Sequence, residues 1–234
     1  MFPNCLSPTH RSLDITDKNG VVRYIRRESV DTIIHCAALT NIRYCEEHRE
    51  ETFNVNVNGT RALMEALASS RGERPYFVYV STACVFPGDS LDKYYSEEDL
   101  PYPKNFYAVT KLVGECVATS FSKSLDVLVV RTNFIERRKW PYPKAFTDRF
   151  ATYLYSDQVA KTAKCLVEER MTGLVHVCGD KKMSMFQFAR LTDHEVKPMT
   201  LQGYSGPPLT VNMSLTSSKI PPIRFETTPQ SLGD

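Results

Sequence analysis

Tyr107 and Lys111 lie four residues apart in the segment NFYAVTK, and together they could move a proton. The segment has helical character, and a spacing of four places both side chains on one face of a helix. A free phenol has a pKa near ~10, too high for proton exchange at neutral pH. A neighbouring ammonium favours the phenolate, so we expect Lys111 to lower the pKa of Tyr107. Tyr107 could then protonate a carbonyl oxygen as hydride arrives, or deprotonate an alcohol as hydride leaves.

Such a pair needs a further group to hold the carbonyl oxygen, and the stretch VYVSTACVF offers two hydroxyls. Ser81 and Thr82 end a predicted strand, so both should emerge at the carboxyl edge of a sheet. Serine and threonine also end many strands for structural reasons alone. The two hydroxyls become candidates for a site only in combination with Tyr107 and Lys111.

Strand and helix patterns alternate along the chain. Apolar runs rich in β-branched and aromatic residues predict strands at 31–38, 75–82, 126–132 and 173–179. Helical patterns fall at about 17–28, 47–70, 105–123, 157–169 and 184–192. This alternation predicts a doubly wound α/β fold, a parallel sheet covered on both faces. From about Pro198 the chain is rich in Pro, Gly, Ser and Thr, which predicts extended segments and turns over the end of the sheet.

The composition favours a small-molecule partner. Lys and Arg number 29 against 27 Asp and Glu, a net charge of +2, so no strong field favours nucleic acid or an anionic membrane. No run of 18 apolar residues occurs, and the N-terminal stretch has no apolar signal region, which predicts a cytoplasmic protein. The seven cysteines include no C-x-x-C pair and no His at ligand spacing, so no metal site is expected. The sequence leaves the oligomeric state open, with a homodimer as one option.

Several phrases resemble the extended short-chain dehydrogenases/reductases, in the same order and at similar spacing. They are LDITD, IIHCAALT, FNVNVNGTRALMEA, STACVF, the Tyr-x-x-x-Lys helix and RTNFI. Within that family the pattern is similar to the dTDP-4-dehydrorhamnose reductase branch, from about Leu13 to Leu232. The resemblance implies a Rossmann-like fold, NADP or NAD as cofactor, and a nucleotide sugar whose 4-keto group is reduced. It also implies a cofactor-binding core at 1–135, without the first strand and helix of the family. The remaining sheet and helix elements and a small substrate-binding region are expected at 136–234.

The resemblance also implies roles for individual residues. Thr82, Tyr107 and Lys111 match the catalytic triad. Asp14 matches a residue that faces the adenine amino group, and Asn56 lies beneath the site. The expected cofactor contacts are Asp14, Ile15, Cys36, Ala37, Ala38, Leu39, Asn56, Ser81, Tyr107, Lys111 and Asn133. Thr82, Ala83 and Phe134 are the expected substrate contacts.

The sequence departs from the reductase pattern in three ways. Ala83 and Cys84 stand where these reductases usually carry Asp and Tyr, which removes polar groups from the substrate side. The stretch IERRKWPYPKAFTDRFAT is short for a full lid, although Trp140, Tyr142, Lys144 and Arg149 could stack a base or meet a diphosphate. The G-x-x-G-x-x-G loop that cradles the dinucleotide phosphates is missing. We therefore expect an N-terminally incomplete sheet with an exposed edge at 31–35, and an impaired cofactor site.

Three functions remain open at this point. The first is reduction of a 4-keto nucleotide sugar. The second is epimerisation or dehydration of a nucleotide sugar with the same cofactor. The third is a non-catalytic regulatory protein on the same scaffold, as in the β subunit of methionine adenosyltransferase, which resembles the same branch.

Overall fold

A four-stranded parallel sheet, with the strands in the order 32–35, 76–82, 126–132 and 173–177, forms the centre of the molecule. The computed structural model describes residues 5–70 and 74–226. All pairs in this sheet are parallel, as predicted for an α/β fold. The strands are β1 (Thr32–His35), β2 (Tyr76–Thr82), β3 (Asp126–Thr132), β4 (Phe134–Ile135), β5 (Lys144–Phe146), β6 (Phe150–Ala151), β7 (Leu154–Tyr155), β8 (Gly173–Val177), β9 (Met183–Ser184), β10 (Lys197–Met199) and β11 (Asn212–Met213).

Helices cover both faces of the sheet, which confirms the predicted fold class. The helices are α1 (Lys18–Arg27), α2 (Ile42–Glu47), α3 (Arg49–Phe53), α4 (Thr60–Ala68), α5 (Phe106–Ser120), α6 (Ser156–Glu168) and α7 (Met185–Ala189). Helices α1, α4 and α5 pack on the face that carries Phe77, Tyr79 and Val129. Helix α6 packs on the opposite face. None of the described helices is long and apolar enough to cross a membrane.

The predicted helix at 47–70 is interrupted. It consists of α3, a π-helical turn at Asn54–Gly59, and α4. The wider turn contains Asn56, whose side chain hydrogen-bonds the backbone of Leu39 in the segment after β1. Helix α2 was not predicted.

Strand β1 lies at the edge of the sheet. It pairs with β2, and no other strand in the described ranges pairs with its outer side. Its residues Thr32, Ile33 and Ile34 are half-buried. The predicted exposed edge at 31–35 is therefore confirmed.

The C-terminal part adds one strand to the main sheet and several small ones around it. Strand β8 pairs with β3, so the region after residue 135 completes the same sheet. Strand β10 pairs with β5, and β11 pairs with β6. The tail is formed of short extended segments and turns, as predicted.

Candidate active site

The carboxyl ends of β1, β2 and β3 bring the predicted residues to one edge of the sheet. Thr82 ends β2 and is paired in register with Thr132 at the end of β3. The segment 36–39 follows β1, and Asn133 follows β3. Because the strands are parallel, these ends lie side by side, where α/β proteins bind ligands.

Tyr107 and Thr82 meet at this edge. The N-terminal turn of α5 carries Tyr107, and Asn105 caps the helix by accepting a hydrogen bond from Ala108 N. Burial raises the pKa of Tyr107 well above its usual value, and the nearby Cys84 adds to the effect, whereas a hydrogen bond with the Thr82 side chain opposes it. Thr82 Oγ1 also accepts from Cys84 N at 3.1 Å, which fixes the turn after β2. The phenol is therefore protonated at neutral pH.

Lys111 is buried one helical turn further along α5. Its Nζ donates to Val80 O at 2.8 Å and lies 4.1 Å from the centroid of the Tyr79 ring. Burial lowers its pKa to about 8, although Glu115 and Cys36 act in the other direction. The expected lowering of the Tyr107 pKa by this cation is not observed, because burial of the phenol dominates. The sequence pattern gives the shared helix and the spacing, but not the degree of burial.

Asn56 holds the end of β1 against α5. Its Oδ1 accepts from Leu39 N at 2.8 Å, and its Nδ2 donates to Leu39 O at 3.0 Å. Nδ2 also donates to Thr110 Oγ1 at 3.0 Å, and Thr110 in turn donates to Tyr107 O. A chain of hydrogen bonds therefore joins the predicted cofactor strand to the residue before Lys111. Asn56 was predicted to lie beneath the site, and its side-chain oxygen and nitrogen are both bonded to protein groups.

The strand end that was predicted to contact the cofactor is open. Cys36 and Ala37 are exposed, and Ala38 and Leu39 are half-buried. Just before them, His35 is buried and its Nε2 lies 3.0 Å from Thr60 Oγ1. Burial, assisted by the charge of Lys111, lowers the pKa of His35 to about 3, so this ring is neutral. Small exposed residues after a fixed strand leave room for a ligand against the backbone.

Ile15 packs against the π-helical turn Asn54–Gly59, and Asp14 precedes it in the chain. Asp14 Oδ1 accepts from Thr16 N at 2.9 Å and from Thr16 Oγ1 at 2.7 Å, which lowers its pKa. Ile15 packs so closely on Gly59 that a Cβ there would lie 2.7 Å from Ile15 Cγ1. One carboxylate oxygen of Asp14 is thus engaged in a local turn.

Ser81 faces α5, on the opposite side of β2 from Thr82. Its hydroxyl donates to Glu115 Oε1, and Glu115 forms a buried ion pair with Arg131 at 2.7 Å. Ser81 and Thr82 are successive residues of one strand, so they face opposite sides of the sheet. The Ser81 hydroxyl therefore supports the packing of α5.

The residues predicted to contact the substrate differ in solvent exposure. Ala83 is fully buried in the turn after β2, whereas Phe134 is 48% exposed. Asn133 is half-buried and donates from Nδ2 to Met213 O at 2.9 Å. Phe134 therefore offers a surface for a ligand, and Ala83 does not.

Two residues of this site have roles that were not predicted from the sequence. Thr110 joins Asn56 to Tyr107, and Glu115 holds Ser81 and Arg131. Both lie on the inner face of α5, at three and eight residues from Tyr107. The apolar residues around them in the sequence indicate that this face of α5 is buried. The partners Asn56 and Arg131 lie far away in the sequence, so the hydrogen bonds could not be predicted.

The residues present fit the nicotinamide end of a dinucleotide better than its diphosphate. The open strand end and Lys111 leave space and charge at the edge beside Tyr107. The sequence has no glycine-rich phosphate loop, and its G-x-x-G pair, Gly203 and Gly206, lies in the tail. No cluster of metal-binding side chains occurs in the part of the chain that the structure describes.

Comparison with known proteins places this geometry in a family. The family model described as the RmlD substrate binding domain matches residues 3–139. The chain is 30% identical over 200 residues to the probable low-salt glycan biosynthesis reductase Agl14 of Haloferax volcanii, covering 77% of this chain and 64% of that protein. It is 25% identical to methionine adenosyltransferase 2 subunit beta of Bos taurus, covering 91% of this chain and 71% of that protein.

A solved structure has the same fold. The dTDP-4-dehydrorhamnose reductase of Bacillus anthracis, in complex with NADP, superposes with a TM-score of 0.78 at 21% identity, covering 91% of this chain and 81% of that one. The match to the family model extends over more than half of the chain and includes every predicted cofactor and catalytic residue. The chain belongs to the RmlD substrate binding domain family, within the extended short-chain dehydrogenases/reductases.

Proposed function

We propose that the chain serves the reduction of a 4-keto group on a nucleotide sugar, with Tyr107 as the proton donor. The observation that carries this proposal is the meeting of the Tyr107 and Thr82 side chains at the carboxyl edge, with Lys111 one turn away. The similarity to the Haloferax reductase supports a reductive role.

The chemistry follows from the states of these side chains. Reduction adds a hydride to the carbonyl carbon and a proton to its oxygen. NADPH or NADH supplies the hydride when bound. The Thr82 hydroxyl hydrogen-bonds the carbonyl oxygen, and Tyr107, protonated at neutral pH, transfers its proton to that oxygen. Lys111 has a pKa of about 8, so it is charged at neutral pH and stabilises the phenolate that remains.

The cofactor site of this chain is proposed to be impaired. A glycine-rich loop brings backbone N–H groups and a helix N-terminus to the dinucleotide phosphates, and this sequence has none. The remaining contacts would come from the strand end at 36–39 and from Lys111. We therefore expect the chain to bind NADPH more weakly than micromolar.

Two measurements test the proposal. Calorimetric titration with NADPH measures the cofactor site, and micromolar binding would show that it is intact. Reduction of dTDP-4-dehydrorhamnose, followed as NADPH oxidation at saturating cofactor, measures the chemistry. Tyr107→Phe should lower the rate by about 100-fold or more while NADPH binding is unchanged. Equal turnover by this variant would remove Tyr107 from the proton-transfer step.

A regulatory role is the second candidate, because similarity to methionine adenosyltransferase 2 subunit beta extends over 91% of the chain. In that case the chain would bind a methionine adenosyltransferase without turning over a sugar. Epimerisation or dehydration remains a variant of the first proposal, since it uses the same proton-transfer residues. Saturable binding to a methionine adenosyltransferase, unaffected by Tyr107→Phe, would favour the regulatory role.

A further inference from the structure

Arg149 is a buried cation without a carboxylate partner among the described residues. Its side chain lies just before β6, and the residue is only 8% exposed. Nε donates to Thr210 O at 2.9 Å, and Nη2 contacts Met213 Sδ at 3.4 Å. No acidic side chain in the described ranges forms an ion pair with it. Burial of a charge without a counter-ion is costly, so a neutral residue would serve packing better.

Tyr153 provides a second unmatched group beside this cation. It is 3% exposed, and its hydroxyl has no hydrogen-bond partner among the described residues. Burial raises the pKa of this phenol to about 12, and the charge of Arg149 opposes the shift, so the two groups are neighbours. Buried hydroxyls normally have a partner, and one left without a partner indicates a missing acceptor or donor.

The two groups lie on the substrate side of Tyr107. Met213 Sδ contacts Arg149 Nη2 and also Cys84 Sγ, each at 3.4 Å. Cys84 is adjacent to the turn fixed by Thr82, and it acts on the pKa of Tyr107. Two side chains, Met213 and Cys84, therefore lie between Arg149 and Tyr107.

We propose that Arg149 and Tyr153 form a subsite for an oxyanion of the substrate. A guanidinium and a phenol hydroxyl both donate, and together they match an oxyanion that accepts two or more hydrogen bonds. A nucleotide sugar offers two such groups: a carboxylate on the sugar ring, as in a uronic acid, and the diphosphate. The proposal rests on the proposed function only in taking the ligand to be a nucleotide sugar.

Cofactor-free binding distinguishes the two sources. The chain has one tryptophan, Trp140, whose Nε1 donates to Lys144 O in the segment that leads to Arg149, so its fluorescence should report binding. UDP-glucuronate, UDP-glucose and UDP are each titrated into the unaltered chain, R149Q and R149K. The matched control is R138Q, because Arg138 is an exposed arginine of the same stretch that forms a surface ion pair with Glu136.

We expect R149Q to weaken binding of UDP-glucuronate by at least tenfold, R149K to weaken it less, and R138Q to leave it unchanged. If binding of UDP-glucose and UDP changes less than threefold, the oxyanion is the sugar carboxylate. If all three weaken equally, it is the diphosphate. Unchanged affinities in R149Q, or no binding of any probe by the unaltered chain, would overturn the proposal.

Two further variants guard against effects on folding. R149M removes the charge but keeps a long apolar side chain, so it should lose binding without a fall in melting temperature. If R149Q does not fold, Y153F carries the test, and at least a threefold loss for the acidic probe is expected; no loss overturns the proposal. None of these readouts requires hydride transfer, so failure of the reductase proposal would show in turnover alone.

Discussion

The two edges of the central sheet are stabilised in different ways. At the β8 edge, His176 N donates to Glu97 Oε1 at 2.9 Å, and the His176 ring lies 2.9 Å from Thr216 O. The tail continues along this side, where Ile223 N donates to Cys178 O. At the β1 edge, no described strand pairs with the outer side, and the strand end at 36–39 is open.

This difference divides the candidate site into two halves. The β8 side is held by the contacts of Glu97 and the tail, whereas the strand end expected to contact the cofactor is held by Asn56. Tyr107 and Lys111 lie between them, on a helix anchored to the interior of the sheet. The proton-transfer residues can therefore keep their geometry independently of the β1 edge.

The largest expected effect concerns the anchor of α5. Glu115 and Arg131 form a buried ion pair, and Glu115 also accepts from Ser81. Glu115→Ala leaves the Arg131 charge buried without a partner, which should lower the free energy of unfolding by about 3–5 kcal/mol. Urea unfolding followed by circular dichroism measures this. If both halves of the site depend equally on α5, both should lose protection in hydrogen exchange.

A double variant provides the control. Glu115→Leu with Arg131→Met removes both charges and should recover most of the lost stability, because apolar side chains of similar size replace a buried pair well. A double variant as unstable as Glu115→Ala would mean that shape, and not charge, determines the cost.

Lys111 should show the next largest effect, in the opposite direction. Its pKa falls from 10.5 to about 8 because the ammonium is buried. At ~1.36 kcal/mol for each pKa unit this is about 3 kcal/mol, reduced to about 2 kcal/mol by loss of its hydrogen bond to Val80 O. Lys111→Met should therefore be more stable than the unaltered chain at pH 7. Urea unfolding of both chains measures the difference.

The pH dependence gives the check. The folded pKa lies below the unfolded one, so protonated Lys111 opposes folding fully below pH 8, and this penalty disappears as pH rises through 10.5. The advantage of Lys111→Met should therefore shrink between pH 8 and 10.5. A constant difference across that range would show that Lys111 titrates normally and is less buried than the structure indicates.

The sequence predicted the sheet and the helix of Tyr107 well, because both depend on local periodicity. Side-chain alternation along a strand already places Ser81 and Thr82 on opposite faces, but the sequence could not show which of them faces α5, because that depends on how the helix packs. Glu115 was missed because its partner Arg131 is on another strand, and only the packing of α5 brings them together. The sequence likewise could not show that Arg149 is buried without a neighbouring carboxylate, because that depends on which side chains pack around it in the fold.

Asn56 tests the β1 half directly. Asn56→Ala removes both hydrogen bonds to Leu39 and the bond to Thr110, leaving buried groups without partners. A loss of about 1–3 kcal/mol is expected in urea unfolding, with faster exchange of the Leu39 amide. Asn58→Ala is the matched control, since Asn58 is exposed and its side chain donates to Asn54 Oδ1 on the surface. Equal losses in the two variants would mean that the β1 half has another support.

Glu97 tests the opposite edge and should give the smallest effect. Burial alone would raise its pKa, but hydrogen bonds from Ser217, His176 N and Ser218 N outweigh it and lower the pKa from 4.5 to about 2. A depressed carboxylate pKa stabilises the fold above pH 4.5, and this contribution is lost as pH falls through 2. Because Glu97 is partly exposed, solvent screening reduces the contribution to about 1 kcal/mol.

Glu97→Gln should therefore lower the free energy of unfolding by about 1 kcal/mol at pH 6 and by less at pH 2.5, as measured by urea unfolding at both pH values. The exposed Glu98→Gln, one residue away, is the matched control and should leave the free energy of unfolding unchanged at pH 6. Exchange of the His176 amide should rise in Glu97→Gln while that of Leu39 stays constant, because the two edges are held by separate contacts. A simultaneous rise at Leu39 would join the two edges into one unit and contradict the division of the site into independent halves.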